Sequence, residues 1–70
     1  MNINRALVKA YQDKPLKALV EAPVSALAGV SETNAQNLEK TFGIKTIGDM
    51  ASNKFFRWAS AIVVLSEAEE

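Results

Sequence analysis

The chain contains no cysteine and no histidine. Without cysteine there is no disulfide to staple it, and without either residue there is no soft metal site. An excess of one charge is missing as well. Eight basic residues stand against eight acidic ones, for a formal net charge of zero. Dedicated nucleic-acid binders are usually basic, so this balance lowers that expectation and leaves room only for a local patch. Aromatics are few: one Trp, one Tyr and three Phe. Long apolar runs are absent, the longest being Ala61 to Leu65, far too short to span a bilayer. The opening residues MNINRALVKAY lack the apolar core of a signal peptide. The expected setting is reduced and cytoplasmic, with no membrane partner.

What remains is apolar and helical in character. The chain has 70 residues, 49% of them hydrophobic. A chain of this size buries only about 60% of its unfolded surface, so its stability margin is small. The fold must rest on apolar packing, with self-association as the available supplement. Met1 and the acidic tail favour an independent small protein over an excerpt of a larger one. No stretch reads as a strand, and no linker, low-complexity segment or solenoid-length repeat occurs.

Local signals divide the chain into short helices. Asn2 or Asn4 is placed to cap a first helix running to about Gln12, with Leu7, Val8 and Tyr11 as its apolar stripe. Pro15 suits the first turn of a second helix carrying Leu16, Leu19 and Val20. Pro23 opens a one-turn segment, Val24 to Leu27, that stops at Gly29. Ser31 is a good N-cap, and Glu32 in the next turn suits the helix dipole. Ala35, Leu38 and Phe42 recur at helical spacing, and Gly43 is placed to end that helix in the left-handed conformation, with Ile44 folding back onto Leu38. Thr46 with Asp49 reads as a shortened capping box, and Ser52 or Asn53 as the cap of a last helix at about 53–67. Three carboxylates in the tail SEAEE oppose the dipole there and predict fraying.

The run LAGVSETNAQNLEKTFGIKTIGDMA, residues 27–51, holds two helix-stop, helix-start signals. Leu27-Ala28-Gly29-Val30-Ser31, followed by Ala35 and Leu38, resembles the helix-hairpin-helix pattern of the SAM-like superfamily. GIKTIGDMA resembles the segment that commonly trails it, as in the C-terminal domain of the bacterial RNA polymerase alpha subunit and the N-terminal domain of archaeal recombinases. The resemblance implies an all-α fold, four to five short helices around a hairpin element at 23–51; the length of 70 residues makes one domain spanning 1–70. In DNA-binding members, two glycines let backbone N–H groups approach a phosphate and a cation follows. Here Gly29 and Val30 match, Ser31 replaces the second glycine, and Glu32 falls near the cation's place. A carboxylate repels phosphate, so the hairpin is expected to act here as a connector.

Two surfaces remain as candidates. From Lys40 to Arg57 the chain carries Lys40, Lys45, Lys54 and Arg57 against one acid, Asp49, a local balance of +3. With Gly29, Gly43 and the N–H groups after Lys45, these cations are the nucleic-acid candidates; such a site would be weak and salt-sensitive. The last helix is apolar around much of its circumference. Phe55, Ala59 and Ile62 share one side, Phe56 and Val63 a second, Trp58 and Leu65 a third. Phe56, Trp58, Val63 and Leu65 are the protein-docking candidates, with Trp58 or Phe56 as anchor. A stacking platform for single-stranded bases beside Lys54 and Arg57 is a lesser reading. Ser25, Ser31, Ser52, Ser60 and Ser66 have no base, no acid pair converges, and neither Gly-Lys-Ser/Thr nor GxGxxG occurs, so neither enzyme, cofactor nor small-molecule substrate is expected. The expected core is Leu7, Tyr11, Leu16, Leu19, Leu27, Val30, Leu38, Phe42, Ile44, Ile47, Phe55, Ala59 and Ile62. The expected function is a small interaction module, with a protein partner or a second copy ranked above nucleic acid.

Overall fold

In a computed structural model, which describes residues 3–69, the chain is all-α. The Asn2 cap and Glu70 of the tail lie outside those residues. Four α-helices form: α1 (Leu16–Val20), α2 (Glu32–Phe42), α3 (Ile47–Ser52) and α4 (Lys54–Glu67). Three 3-10 turns precede or separate them, at Ile3–Ala6, Lys9–Tyr11 and Val24–Ala26. No strand occurs among the described residues, only two isolated antiparallel bridges, Leu7 with Leu27 and Pro23 with Thr46.

Those bridges show where the centre lies. The segment from Ala22 to Ala28 is stitched to the chain on both sides. On one side, the Val8 N–H donates to the Ala26 carbonyl at 2.8 Å and the Ala28 N–H to the Ala6 carbonyl at 2.8 Å. On the other, the Val24 N–H donates to the Lys45 carbonyl at 3.1 Å and the Ile47 N–H to the Ala22 carbonyl at 2.9 Å. Four of the six buried apolar residues, Ala22, Val24, Ala26 and Ile44, sit in this segment or opposite it, with Leu7 and Leu19 beside them. Small side chains suit a place where three stretches of backbone meet closely.

This arrangement corrects the expected first helix. Residues 3–11 make two 3-10 turns instead, because backbone groups from Ala6 to Val8 are bonded to Ala26 and Ala28 and are unavailable to an i−4 ladder. Asn4 instead reaches across the chain: its side chain donates to the Asp13 carboxylate at 2.8 Å and accepts from the Asp13 N–H at 2.9 Å. Asp13 is thereby held at a φ of 66°, a left-handed conformation that Asp tolerates better than most residues.

The other boundaries follow local chemistry. Ser31 Oγ accepts from the Asn34 N–H at 3.1 Å and starts α2. Gly43, at a φ of 70°, ends it, with its N–H on the Glu39 carbonyl and that of Ile44 on the Leu38 carbonyl. Both halves of the Thr46/Asp49 capping box are present at α3. Asn53 caps α4 by accepting from the N–H groups of Phe55 and Phe56.

The expected core was too wide. Leu7, Leu19 and Ile44 are buried, and Tyr11, Leu27, Val30, Leu38 and Ile47 are half-buried. Leu16, Phe42, Phe55, Ala59 and Ile62 are exposed. The reason lies in the packing order: α2 rests on the Val24–Ala26 turn, α1 on α3, and α3 on α4, with nothing closing over α4. The radius of gyration is 13.6 Å, against about 11 Å for a compact chain of this length.

Candidate functional site

α4 is the longest helix, 14 residues and therefore about 21 Å. Its first turn is fixed to the body. The Phe42 ring, at the end of α2, lies 6.2 Å from the Phe55 ring and 5.6 Å from the Phe56 ring. Beyond that turn the helix leaves the body, and none of its 14 residues is buried.

Four of its large apolar side chains form a ridge, while Val63 and Val64 are exposed on other faces. Residues 55, 58, 62 and 65 are spaced three, four and three apart, which places them within about 80° of arc on an α-helix. The Phe55 and Trp58 rings meet edge-on at 5.8 Å. With Phe42 the ridge starts at the body and runs outward, and its exposure climbs steadily: Phe42 42%, Phe55 51%, Trp58 58%, Ile62 67%, Leu65 71%. A solvent-exposed 3-4-3 apolar spacing is the pattern that helices use to pack on one another. The Lys54 ammonium stands 5.2 Å from the Phe55 ring and 5.7 Å from the Trp58 ring, so a cation edges the ridge near its base.

On the side of α4 next to α3, a shallow apolar groove is lined by Met50, Ala51, Phe56, Arg57, Ser60, Ala61, Val64 and Leu65. Phe55, Trp58 and Ile62 do not line it. Of the docking candidates, Trp58, Val63 and Leu65 are exposed, while Phe56 is half-buried against Phe42 and the groove. Phe55 and Ile62, assigned to the core from their periodicity, join Trp58 and Leu65 on the ridge. Their 3-4-3 spacing was the available signal.

The cationic candidates are dispersed. Lys40 lines a depression with Gln36 and Glu39, whereas Lys54 and Arg57 line another with Trp58 and Ala61. Gly29 and Gly43 take φ values of 98° and 70°, and a Cβ at either would meet nothing within 4 Å. Backbone conformation, not close approach, requires glycine at both. The N–H groups of Lys45 and Thr46 each donate to Asp49 Oδ2 at 3.1 Å, and of the candidate N–H groups after Lys45, that of Ile47 also donates to the Ala22 carbonyl and that of Asp49 to Thr46 Oγ1. The chain supplies its own anion there. The hydrogen bond from the Lys45 N–H, and next that from Thr46, holds the Asp49 carboxyl below its ordinary value.

A depressed value means that Asp49 contributes stability above the unfolded carboxylate pKa of about 3.9 and loses it as pH falls through the lower folded value. Asp49→Asn should therefore be less stable than wild type near pH 7, with the difference shrinking below about pH 4. Urea midpoints measured across that range test this; a difference that stays constant with pH would show that the charge does not matter.

Among the described residues, no group of three His, Cys, Asp or Glu converges on a metal-sized site, and no helix is long and apolar enough to cross a membrane. No protein-family model, curated protein or solved structure matches the chain.

Proposed function

We propose that the protein is a small non-enzymatic interaction module, on a helix-hairpin-helix-like scaffold, that docks a protein partner or a second copy through α4. One observation carries this reading: a fourteen-residue helix with no buried residue, bearing Phe55, Trp58, Ile62 and Leu65 in one exposed row. Each such side chain contributes about 1.5–3 kcal/mol when fully buried. A chain of this size has about 3–5 kcal/mol of stability in all. Leaving four large apolar side chains in water forgoes as much as the whole fold retains, and a partner recovers it. Trp58, central in the row and flanked by Phe55 and Ile62, has the character of a binding hot spot.

The test is photo-crosslinking in the cell. Leu65→p-benzoylphenylalanine puts a reactive group at the exposed end of the ridge, and Glu21→p-benzoylphenylalanine puts the same group on an exposed part of the body. Irradiation should give a protein adduct of defined mass from position 65 and none from position 21. Absence of an adduct at 65, or one that nuclease removes, overturns the reading.

A further inference from the structure

We infer that the occupant of the ridge is a second copy of this chain, its α4 laid antiparallel against the first; this rests on the reading of α4 as a docking helix. The charges at the two ends of α4 point to it. Lys54 and Arg57 stand in the first turn and Glu67 in the last, with Glu69 just beyond. Each is the wrong sign for its own helix dipole, which favours anions at the N-terminus and cations at the C-terminus. Laid antiparallel, each end meets the opposite end of the second helix. Lys54, about 60° from the centre line of the ridge, then lies beside the second helix's C-terminus and the Glu69 that follows it, whereas Arg57 and Glu67 turn about 120° and 160° from that line and stay outside the seam. For Lys54 and Glu69 the mismatch becomes an attraction. A parallel pair would set Lys54 beside Lys54 and Glu69 beside Glu69, with the two helix dipoles aligned, so charge selects the antiparallel orientation.

The ridge is also complementary to itself when reversed. With the two-fold axis level with Ser60, Phe55 meets the second copy's Leu65, and Trp58 meets its Ile62. Each aromatic faces an aliphatic side chain, so large and smaller knobs alternate along the seam. Apart from Lys54 at its base, the ridge is flanked by small residues: Ala59, Ala61, Ser66 and Ala68. They let two helix backbones approach closely without covering the ridge. Zero net charge removes the long-range repulsion that identical copies usually carry. The pairing is bimolecular, so it responds to concentration.

The full chain is tested by sedimentation equilibrium across concentration. Wild type should move from 7.6 kDa toward twice that mass. Ile62→Asp should weaken dimerisation by about 100-fold or more while leaving helix content and melting temperature unchanged, because Ile62 is exposed in the single chain. Since the chain has no cysteine, introduced thiols report orientation without background. Lys54→Cys and Ala68→Cys, mixed and oxidised, should give chiefly the mixed disulfide; a dominant 54–54 disulfide overturns the antiparallel arrangement. A chain that stays monomeric to millimolar concentration, while its position-65 probe captures a different protein in the cell, overturns the second copy and leaves the docking helix standing. A monomer whose probe captures nothing overturns both. A mass increase that needs added DNA and disappears with salt overturns both in favour of phosphate binding.

Discussion

Ile44→Ala should leave the chain largely unfolded at room temperature. Ile44 is 1% exposed, and with Val24 it is the largest fully buried side chain. It follows the left-handed Gly43, in the connection between α2 and α3, where its own N–H is tied to Leu38. Its side chain therefore cannot move off without disturbing both helices. Truncating a buried Ile to Ala costs about 2–5 kcal/mol, because the neighbours only partly collapse into the space left behind. The total stability of a chain this small is about 3–5 kcal/mol. One substitution is thus comparable to the whole. Far-UV circular dichroism should show most of the helix signal lost, or a urea midpoint near zero denaturant. Leu16→Ala is the control. It removes a side chain of similar size that is exposed, and should stay within about 0.5 kcal/mol of wild type. If both variants melt alike, the core is not where the structure puts it.

The same contrast shows what the amino-acid order reveals and what it hides. Helix ends were legible. Ser31, Gly43, Thr46 with Asp49, and Asn53 act within five residues of themselves, so the sequence carries the whole interaction. The bounds of α4 followed from Asn53 and the apolar run behind it. The first segment was not legible in this way. Its Leu7 and Val8 have helical spacing, but Val8 donates to Ala26, eighteen residues on, and no local pattern reports so distant a bond. The centre was missed for a related reason. Ala22, Val24 and Ala26 alternate around Pro23 in a stretch that reads as a connector, and their smallness conceals that three backbones meet there. The opposite error came from large residues. Periodicity says that Phe55 and Ile62 share a face; it does not say what covers that face. Among the described residues the Phe42 ring reaches Phe55, and Ile62 is left exposed. That is why the candidate site emerged from residues first placed in the core.

Gly48→Ala is the prediction on which local and tertiary rules disagree most. Gly48 lies within α3, where exchange of Gly for Ala stabilises a helix by about 1 kcal/mol. Its φ is unremarkable, since only Gly29, Gly43 and Asp13 take positive values among the described residues. Propensity alone therefore predicts a more stable protein. The space around it predicts the reverse. A Cβ on residue 48 would stand 2.9 Å from Val20 Cγ1 and 3.0 Å from the Val20 carbonyl oxygen. The methyl group can rotate away, because Val20 is about half exposed. The carbonyl cannot, because it belongs to the last residue of α1. α1 and α3 must therefore separate, and the contact between them is one of the few that hold the N-terminal half to the C-terminal half. Overpacking of this kind costs about 1–3 kcal/mol, more than the propensity gain. In a chain of this size each kcal/mol lowers the melting temperature by about 4–8 °C. Adding Val20→Ala to Gly48→Ala separates the two clashes. It removes the methyl contact and leaves the carbonyl, so recovery should be partial. Full recovery would assign the strain to the side chain alone, and a melting temperature raised by Gly48→Ala itself would mean that α1 yields freely against α3.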